Sequence, residues 1–294
     1  MEAFAEVLRR FADESADARL APIVAGLDAP IRVAVSGRAG VGRGAVARGL
    51  AHRWHVVDTA AEVVVVVIAE ALKPEDEAVI AQCRADQVPS LLVRNKADLD
   101  GPGGVRTPGV PCAALLADVT LDDDMVSGLR RLAAGSAELS SLGAGGRLLE
   151  ALDVSGIGHC VRALECGVEP VGLPALLRAA SGFDAVLREL DSACAPVRYR
   201  RVRAAVRTLR ALALHDDAVA AFLAGDDAAL AVMTAAVGVL EAARLTVDTG
   251  DSAQAHLRRA VRWRAYSRGP VSALHRACAT DVCRGSLRLL AGLS

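Results

Sequence analysis

The chain has 294 residues and a mass of 30.4 kDa, room for one large domain or two ordinary ones, and 53% apolar residues can fill a sizeable core. Aromatic residues are only 3%, so that core is built of Ala, Leu and Val, a composition that favours helices. A net charge of −1 and a pI near 6.6 give no global attraction for nucleic acid or for an acidic membrane.

Residues 2 to 20 read as an amphipathic helix, with Phe4, Val7, Leu8 and Phe11 on one face. Ile31 to Ser36 follows Pro30 and is apolar almost throughout, as a strand buried on both faces of a parallel sheet would be. A glycine-rich loop then leads into a helix from about Gly44 to His52. Strand, glycine loop and helix start are the layout of a phosphate cradle, in which backbone N–H groups and the helix N-terminus receive phosphate oxygens. The pattern G-x-x-x-x-G-K-[ST] fits as Gly37, Gly42, Arg43 and Gly44, with Arg38 and Gly40 inside the loop. Both glycines are right, but arginine stands for lysine and glycine for the hydroxyl residue. A rigid guanidinium fork does not replace a compact ammonium at a tight site, and Gly44 has no group to ligate Mg²⁺. A tight strand-to-helix turn that merely keeps its glycines is the competing reading.

Trp54 to Asp58 reads as a strand ending in aspartate, with Ala61 three residues on. Glu62 to Glu70 reads as a central buried strand. Pro74-Glu-Asp-Glu77 opens a helix, its acids explained by the helix dipole. Val88 to Arg94 is a strand running into Asn95-Lys96-Ala97-Asp98, the N-K-x-D pattern in which Asn and Asp hydrogen-bond a guanine base. Lys96 and Lys73 are the only lysines in the chain. Val110-Pro-Cys112-Ala113 reads as a short strand ending in the loop that backs the base, with Cys112 in place of serine. Asp122-Asp-Asp124 caps a helix to about Ala134.

Ser140 to Gly146 is the expected linker, and beyond it no strand pattern appears. Helices are expected at 146–153, 156–166, 172–180, 182–194, 197–215, 216–224, 227–246, 251–266 and 270–292. Arg200, Arg203, Arg207 and Arg210 share one helix face, and Arg258, Arg259, Arg262 and Arg264 form a second group. Both are read as solvated faces pairing with nearby acids, against a sharper reading as surfaces for an acidic lipid or partner. The connection Gly225-Asp-Asp227 is small and acidic, which does not suit a membrane tip.

The seven cysteines lack a C-x-x-C pair and the six histidines lack ligand spacing, so reduced thiols in a cytoplasm are expected and no metal site. The N-terminus carries acids where a signal peptide needs basic residues, and no apolar run reaches the ~18 residues of a spanning helix.

Taken together, G-R-x-x-x-G, the V-D-T turn, the apolar strand, N-K-A-D-L and P-C-A-A-L-L resemble an Era-type or dynamin-like GTPase, most closely the actinobacterial dynamin-like proteins of the isoniazid-inducible type. The motifs cover residues 31 to 134, about a third of the chain, and the arginine usage fits a GC-rich actinobacterial source. The resemblance implies an α/β fold: a pared-down P-loop GTPase domain with a mostly parallel sheet, followed by an all-α helical bundle. The expected divisions are an N-terminal helix over 1–26, the GTPase-like domain over 27–138 and the helical domain over 146–294. If nucleotide binding is kept, the resemblance assigns it to Gly37, Arg38, Gly40, Gly42, Arg43, Asp58, Asn95, Lys96, Asp98, Cys112 and Ala113, with GTP or GDP taken without Mg²⁺ and no metal or catalytic residue.

The departures are concerted. The P-loop lysine and hydroxyl are replaced, Ala61 stands for the switch glycine, only eight residues separate Gly49 from Asp58, and the stretch from Asp98 to Cys112 is too short for its usual helix. Losing one strong electrostatic group costs ~10²–10³ in rate, and several are missing together. The expectation is therefore a pseudo-GTPase without turnover, an interaction or regulatory subunit that assembles with a catalytically intact GTPase of the same family. The alternatives are a slow or non-hydrolysing guanine-nucleotide binder and a membrane-associated dynamin-like GTPase. The expected location is the cytoplasm, with membrane contact only indirectly through the partner, and no nucleic acid is expected.

Overall fold

The run of valines after Glu62 forms the centre of a parallel sheet. In the computed structural model, which describes residues 2–99 and 107–293, the strands are β1 (Arg32–Ser36), β2 (His55–Val56), β3 (Val63–Ile68), β4 (Ser90–Arg94) and β5 (Val110–Pro111). They lie in the order β2-β1-β3-β4-β5, all parallel. Val63, Val65, Val66, Val67 and Ile68 are fully buried, as a strand covered on both faces requires. The strand order reverses between β1 and β3, and in open sheets of this kind ligands bind outside the carboxyl ends at that reversal.

The helices of the first part are α1 (Glu2–Ser15), α2 (Ala21–Asp28), α3 (Arg43–Ala51), α4 (Pro74–Ala85), α5 (Asp123–Ala133), α6 (Gly145–Glu165), α7 (Leu173–Ala180) and α8 (Phe183–Ala193). Those that follow are α9 (Ala195–Leu212), α10 (Asp217–Ala224), α11 (Asp226–Ala242), α12 (Ala253–Ser267) and α13 (Ala273–Ala291). Capping chemistry sets several starts. Asp76 accepts the Lys73 N–H at 3.1 Å and Asp122 accepts that of Met125 at 2.8 Å, which satisfies orphan donors of the first turns of α4 and α5. β2 is shorter than its sequence suggests. After Val57 donates to the Val33 carbonyl, the chain crosses to the other edge of β1, where Glu62 donates to Arg32, so no helix fits between β2 and β3.

The chain divides into two compact units, and the division differs from the one expected. One unit is residues 31–191; the other joins the chain up to Pro30 to everything from Ser192 on. Two packing facts explain the correction. The apolar face of α1 places Phe4 and Leu8 in one core with Tyr199, Val202, Val239 and Trp263, so the N-terminal helix belongs with the last helices. Leu142, Ala144, Leu148 and Leu152 are buried with Met125 and Leu129, so the supposed linker at 140–146 is core, and α6 and α7 belong with the sheet. The bundle expected over 146–294 is thereby split, and the expected absence of a helix between Asp98 and Cys112 falls on residues 100–106, outside the described residues.

In the second unit the reading of Arg259 as part of a solvated face is also corrected. It is only 3% exposed, and its guanidinium donates to the carbonyls of Asp248 (2.7 Å) and Gly250 (3.2 Å) and to Ser286 Oγ (2.9 Å). Among the described residues no single helix is long and apolar enough to cross a membrane; α10 and α11 reach that length only as a pair bent by 55°. No group of three or more His, Cys, Asp or Glu is placed to hold a metal ion among the described residues.

Candidate functional site

The glycine loop leaves the carboxyl end of β1 and enters α3, at the edge where the strand order reverses. Its geometry demands glycine. Gly37, Gly40 and Gly42 have φ of 147°, 83° and 86°, a region that side chains make costly. At Gly37 a Cβ would sit 2.4 Å from the Val67 carbonyl oxygen, and at Gly42 it would sit 2.2 Å from Asn95 Nδ2. Gly42 is also the N-cap of α3, with no side chain to satisfy the first N–H groups of the helix.

Asn95 is the keystone of the arrangement. It follows β4, is 3% exposed, and its backbone N–H bonds the Ile68 carbonyl at 2.7 Å. Its Nδ2 donates to the Val41 carbonyl at 2.9 Å, and its Oδ1 accepts from the Ala114 N–H at 2.8 Å and from Cys112 Sγ at 3.7 Å. One carboxamide thus ties the glycine loop to the loop after β5. Both oxygen lone pairs and one of the two N–H donors are spent inside the protein. Cys112 is buried behind it, and burial pushes its thiol up to about 12, so it stays protonated and acts as a weak donor.

The other half of the support comes from the α7–α8 junction. Ala113 donates its N–H to the Ser181 carbonyl at 2.8 Å, and the Ser181 hydroxyl, itself bonded to the Arg178 carbonyl at 2.6 Å, accepts from the Phe183 N–H at 3.1 Å. The Phe183 ring fits against Gly49 of α3, where a Cβ would approach it to 2.7 Å. The Ser181-Gly-Phe183 segment therefore braces the loops of the candidate site.

A cavity of about 300 Å³ opens beside this keystone, at the small end of the usual range for ligand pockets. Gly42, Asn95, Lys96, Asp98 and Ala113 line it, five of the eleven residues assigned from the resemblance. Lys96 holds a left-handed backbone (φ 60°) that sets it on the rim with Asp98. The opposite wall comes from α6: Leu149, Glu150 and Asp153. Sequence reasoning missed these three. The only trace of them was the helix break expected near residue 154, and α6 does break there. Asp153 has φ 55° and ψ 177°, and its carboxylate accepts the Val154 N–H at 2.6 Å. Such a conformation costs about 1–3 kcal/mol in a non-glycine residue.

Of the other assigned residues, Gly37 and Gly40 shape the loop and Cys112 backs Asn95, while the three charged ones do not line the cavity. Arg38 turns to α4 and pairs through Nε with Asp76 at 3.1 Å, a carboxylate that is 1% exposed. Arg43 opens α3, exposed and without a hydrogen bond or ion pair among the described residues. Asp58 is exposed and equally unpartnered. The ladder between β1 and β2 ends at Val33, while β1 runs on to Ser36 before the glycine loop begins, so Asp58 leaves the sheet below the loop. Comparison of the chain with protein-family models, curated proteins and solved structures returns no match.

Proposed function

We propose that this chain is a pseudo-GTPase: a protein built on a P-loop GTPase scaffold that acts by binding and assembly and does not turn over nucleotide. One observation carries the reading. The two polar side chains best placed to act on a nucleotide at the glycine loop, Arg38 and Asn95, are both consumed internally, by Asp76 and by the Val41 and Ala114 backbone. Both side chains are spent on holding the fold together. Phosphoryl transfer depends on charge neutralisation by a lysine and Mg²⁺ and on positioning of the attacking water. Here Arg43 and Gly44 stand at the lysine and Mg²⁺-ligand positions. The partner this reading calls for is an intact GTPase of the resembling type, in whose absence the chain is one half of an assembly.

A second reading, a guanine-nucleotide binder that does not hydrolyse, is favoured by the cavity that brings Lys96, Asp98 and Ala113 together. Calorimetric titration of the chain with GDP and GTP, with and without Mg²⁺, combined with phosphate-release measurements, separates the readings. The pseudo-GTPase reading expects no phosphate release above the blank, and Mg²⁺-dependent release would overturn it. Heat on GDP addition that an Asp98→Ala change abolishes would select the nucleotide-binding form. Assembly is tested by co-purification with an intact GTPase of that type; failure to form a complex at micromolar concentrations removes the subunit role.

A further inference from the structure

The second unit segregates its charge. Helix α9 carries six arginines and no acid, α12 four and none, and α13 three with a single acid, Asp281, although the whole chain is close to neutral. A cavity of about 210 Å³ lies between α9 and α13, and Arg203, Arg207, Arg210 and Arg284 line it. Arg203, Arg207 and Arg210 follow the spacing of one helix face, so their side chains reach the same side. The cavity shares Arg203 and Arg207 with a neighbour of about 310 Å³ and shares Thr280 and Arg284 with another of about 650 Å³, which adds Arg264 and Arg268.

The only carboxylate among the described residues of these linings is already spent. Asp281 is 7% exposed, accepts the Tyr199 hydroxyl at 2.6 Å and pairs with Arg203 Nη1 at 3.2 Å. That network fixes Arg203 and cancels its charge. Arg207, Arg210 and Arg284 make no hydrogen bond or ion pair among the described residues. Asp216 and Asp217 after α9 and Asp226 and Asp227 at the start of α11 do not line the cavity; Asp216 pairs with Arg19, and Asp226 is engaged by Arg288 at 3.4 Å. Three uncompensated guanidinium groups therefore border one small space. Beneath them the wall is apolar, formed by Phe4, Val206, Leu223 and Val232.

We infer that this cavity binds a phosphate group carrying an apolar substituent, with Arg207, Arg210 and Arg284 as its ligands. Guanidinium forks match the oxygens of a phosphate in pairs, and a dianion offsets three cations better than a single carboxylate. The apolar wall takes the substituent. Base recognition in a nucleic acid would need exposed aromatic faces for stacking, and Phe4, an aromatic of the lining, is fully buried. The same headgroup chemistry can come from a free phosphate monoester or from an acidic phospholipid.

The full chain is titrated calorimetrically with inorganic phosphate and with octyl phosphate, and is co-sedimented with phosphatidylcholine vesicles with and without phosphatidic acid. Octyl phosphate should bind more tightly than inorganic phosphate, and raised salt should weaken both. Arg207→Ala and Arg284→Ala should each lower the affinity about tenfold or more. Arg130→Ala, an exposed arginine of the other unit, should leave it unchanged. Each site is exposed, so circular dichroism should report an unaltered fold. Vesicle binding that both cavity variants abolish assigns the lipid source; octyl phosphate binding without vesicle binding assigns the free monoester. Absence of binding to all three probes at millimolar concentration, or binding equal in wild type and both variants, overturns the proposal.

Discussion

Removing the Asn95 side chain should loosen both loops it joins, and the structure sets the size of the effect. Asn95→Ala leaves the Val41 carbonyl and the Ala114 N–H without their partners, at residues only 3% and 4% exposed. Each orphaned group costs about 1–3 kcal/mol, so the variant should lose roughly 2–6 kcal/mol. Gly42→Ala has two costs: a left-handed alanine, about 1–2 kcal/mol, and a methyl 2.2 Å from Asn95 Nδ2. The second vanishes once the carboxamide is gone. The double variant should therefore be more stable than the sum of the single losses predicts, by about 1 kcal/mol or more. Gly40→Ala is the control. It shares the positive φ (83°) but has nothing within 4 Å of its Cβ, so it should add simply to Asn95→Ala. Urea unfolding in a Trp263→Phe background reads this cleanly, because Trp54 then reports on its own unit alone. If Gly42→Ala costs the same with and without Asn95, the carboxamide is not what confines the loop, and the account of the site fails.

Three further outcomes can be measured. Gly49→Ala would stabilise an ordinary helix, but the Phe183 ring 2.7 Å from the new methyl should reverse the sign to a loss of about 1–3 kcal/mol in thermal unfolding. An Ellman titration of the native chain at pH 8 should find one fast thiol, the exposed Cys166, since burial pushes Cys112 and Cys278 up to about 12 and Cys160 up to about 11; two or more fast thiols would contradict this. The Arg19 side chain and the turn around it hold Asp17 below the usual carboxylate range, and the Val219 N–H followed by Arg19 does the same for Asp216. Folded values below the unfolded one, about 3.9, give stability that is present above that pH and lost as pH falls from there through the folded values. Arg19→Ala should therefore flatten the acid side of the urea midpoint against pH, and an unchanged slope would refute the linkage.

Local chemistry made most of the elements legible. Pro74 and Asp122 announce helix starts because proline and capping residues act within one turn. The central strand was visible because five consecutive valines admit no other economical reading. What failed to show was everything decided by distant partners. Nothing near Phe4 says that its face will be covered by residues some two hundred positions on. Helix α2 was missed because it is short and weakly amphipathic, and its apolar Leu27 is claimed by that same remote core. At the candidate site, Gly37, Gly42 and Asn95 were legible as a pattern, since backbone geometry restricts which residues can stand there. Their internal uses were not: the Arg38–Asp76 pair joins residues 38 positions apart, and Glu150 and Asp153 enter from a helix with no motif of its own.

The two-unit division also orders the birth of the molecule. Residues 31–191 form a compact unit whose sequence is complete once Asp191 has left the ribosome. Phe4, Leu8, Leu20 and Leu27 are made first but must wait for α9 to α13 before any core exists to receive them. At about 5–20 residues per second that interval, the stretch from Asp191 to Ala291, takes roughly 5–20 s. Through it the nascent chain carries one finished unit and one greasy helical stub, and the stub is where a holdase would find its purchase.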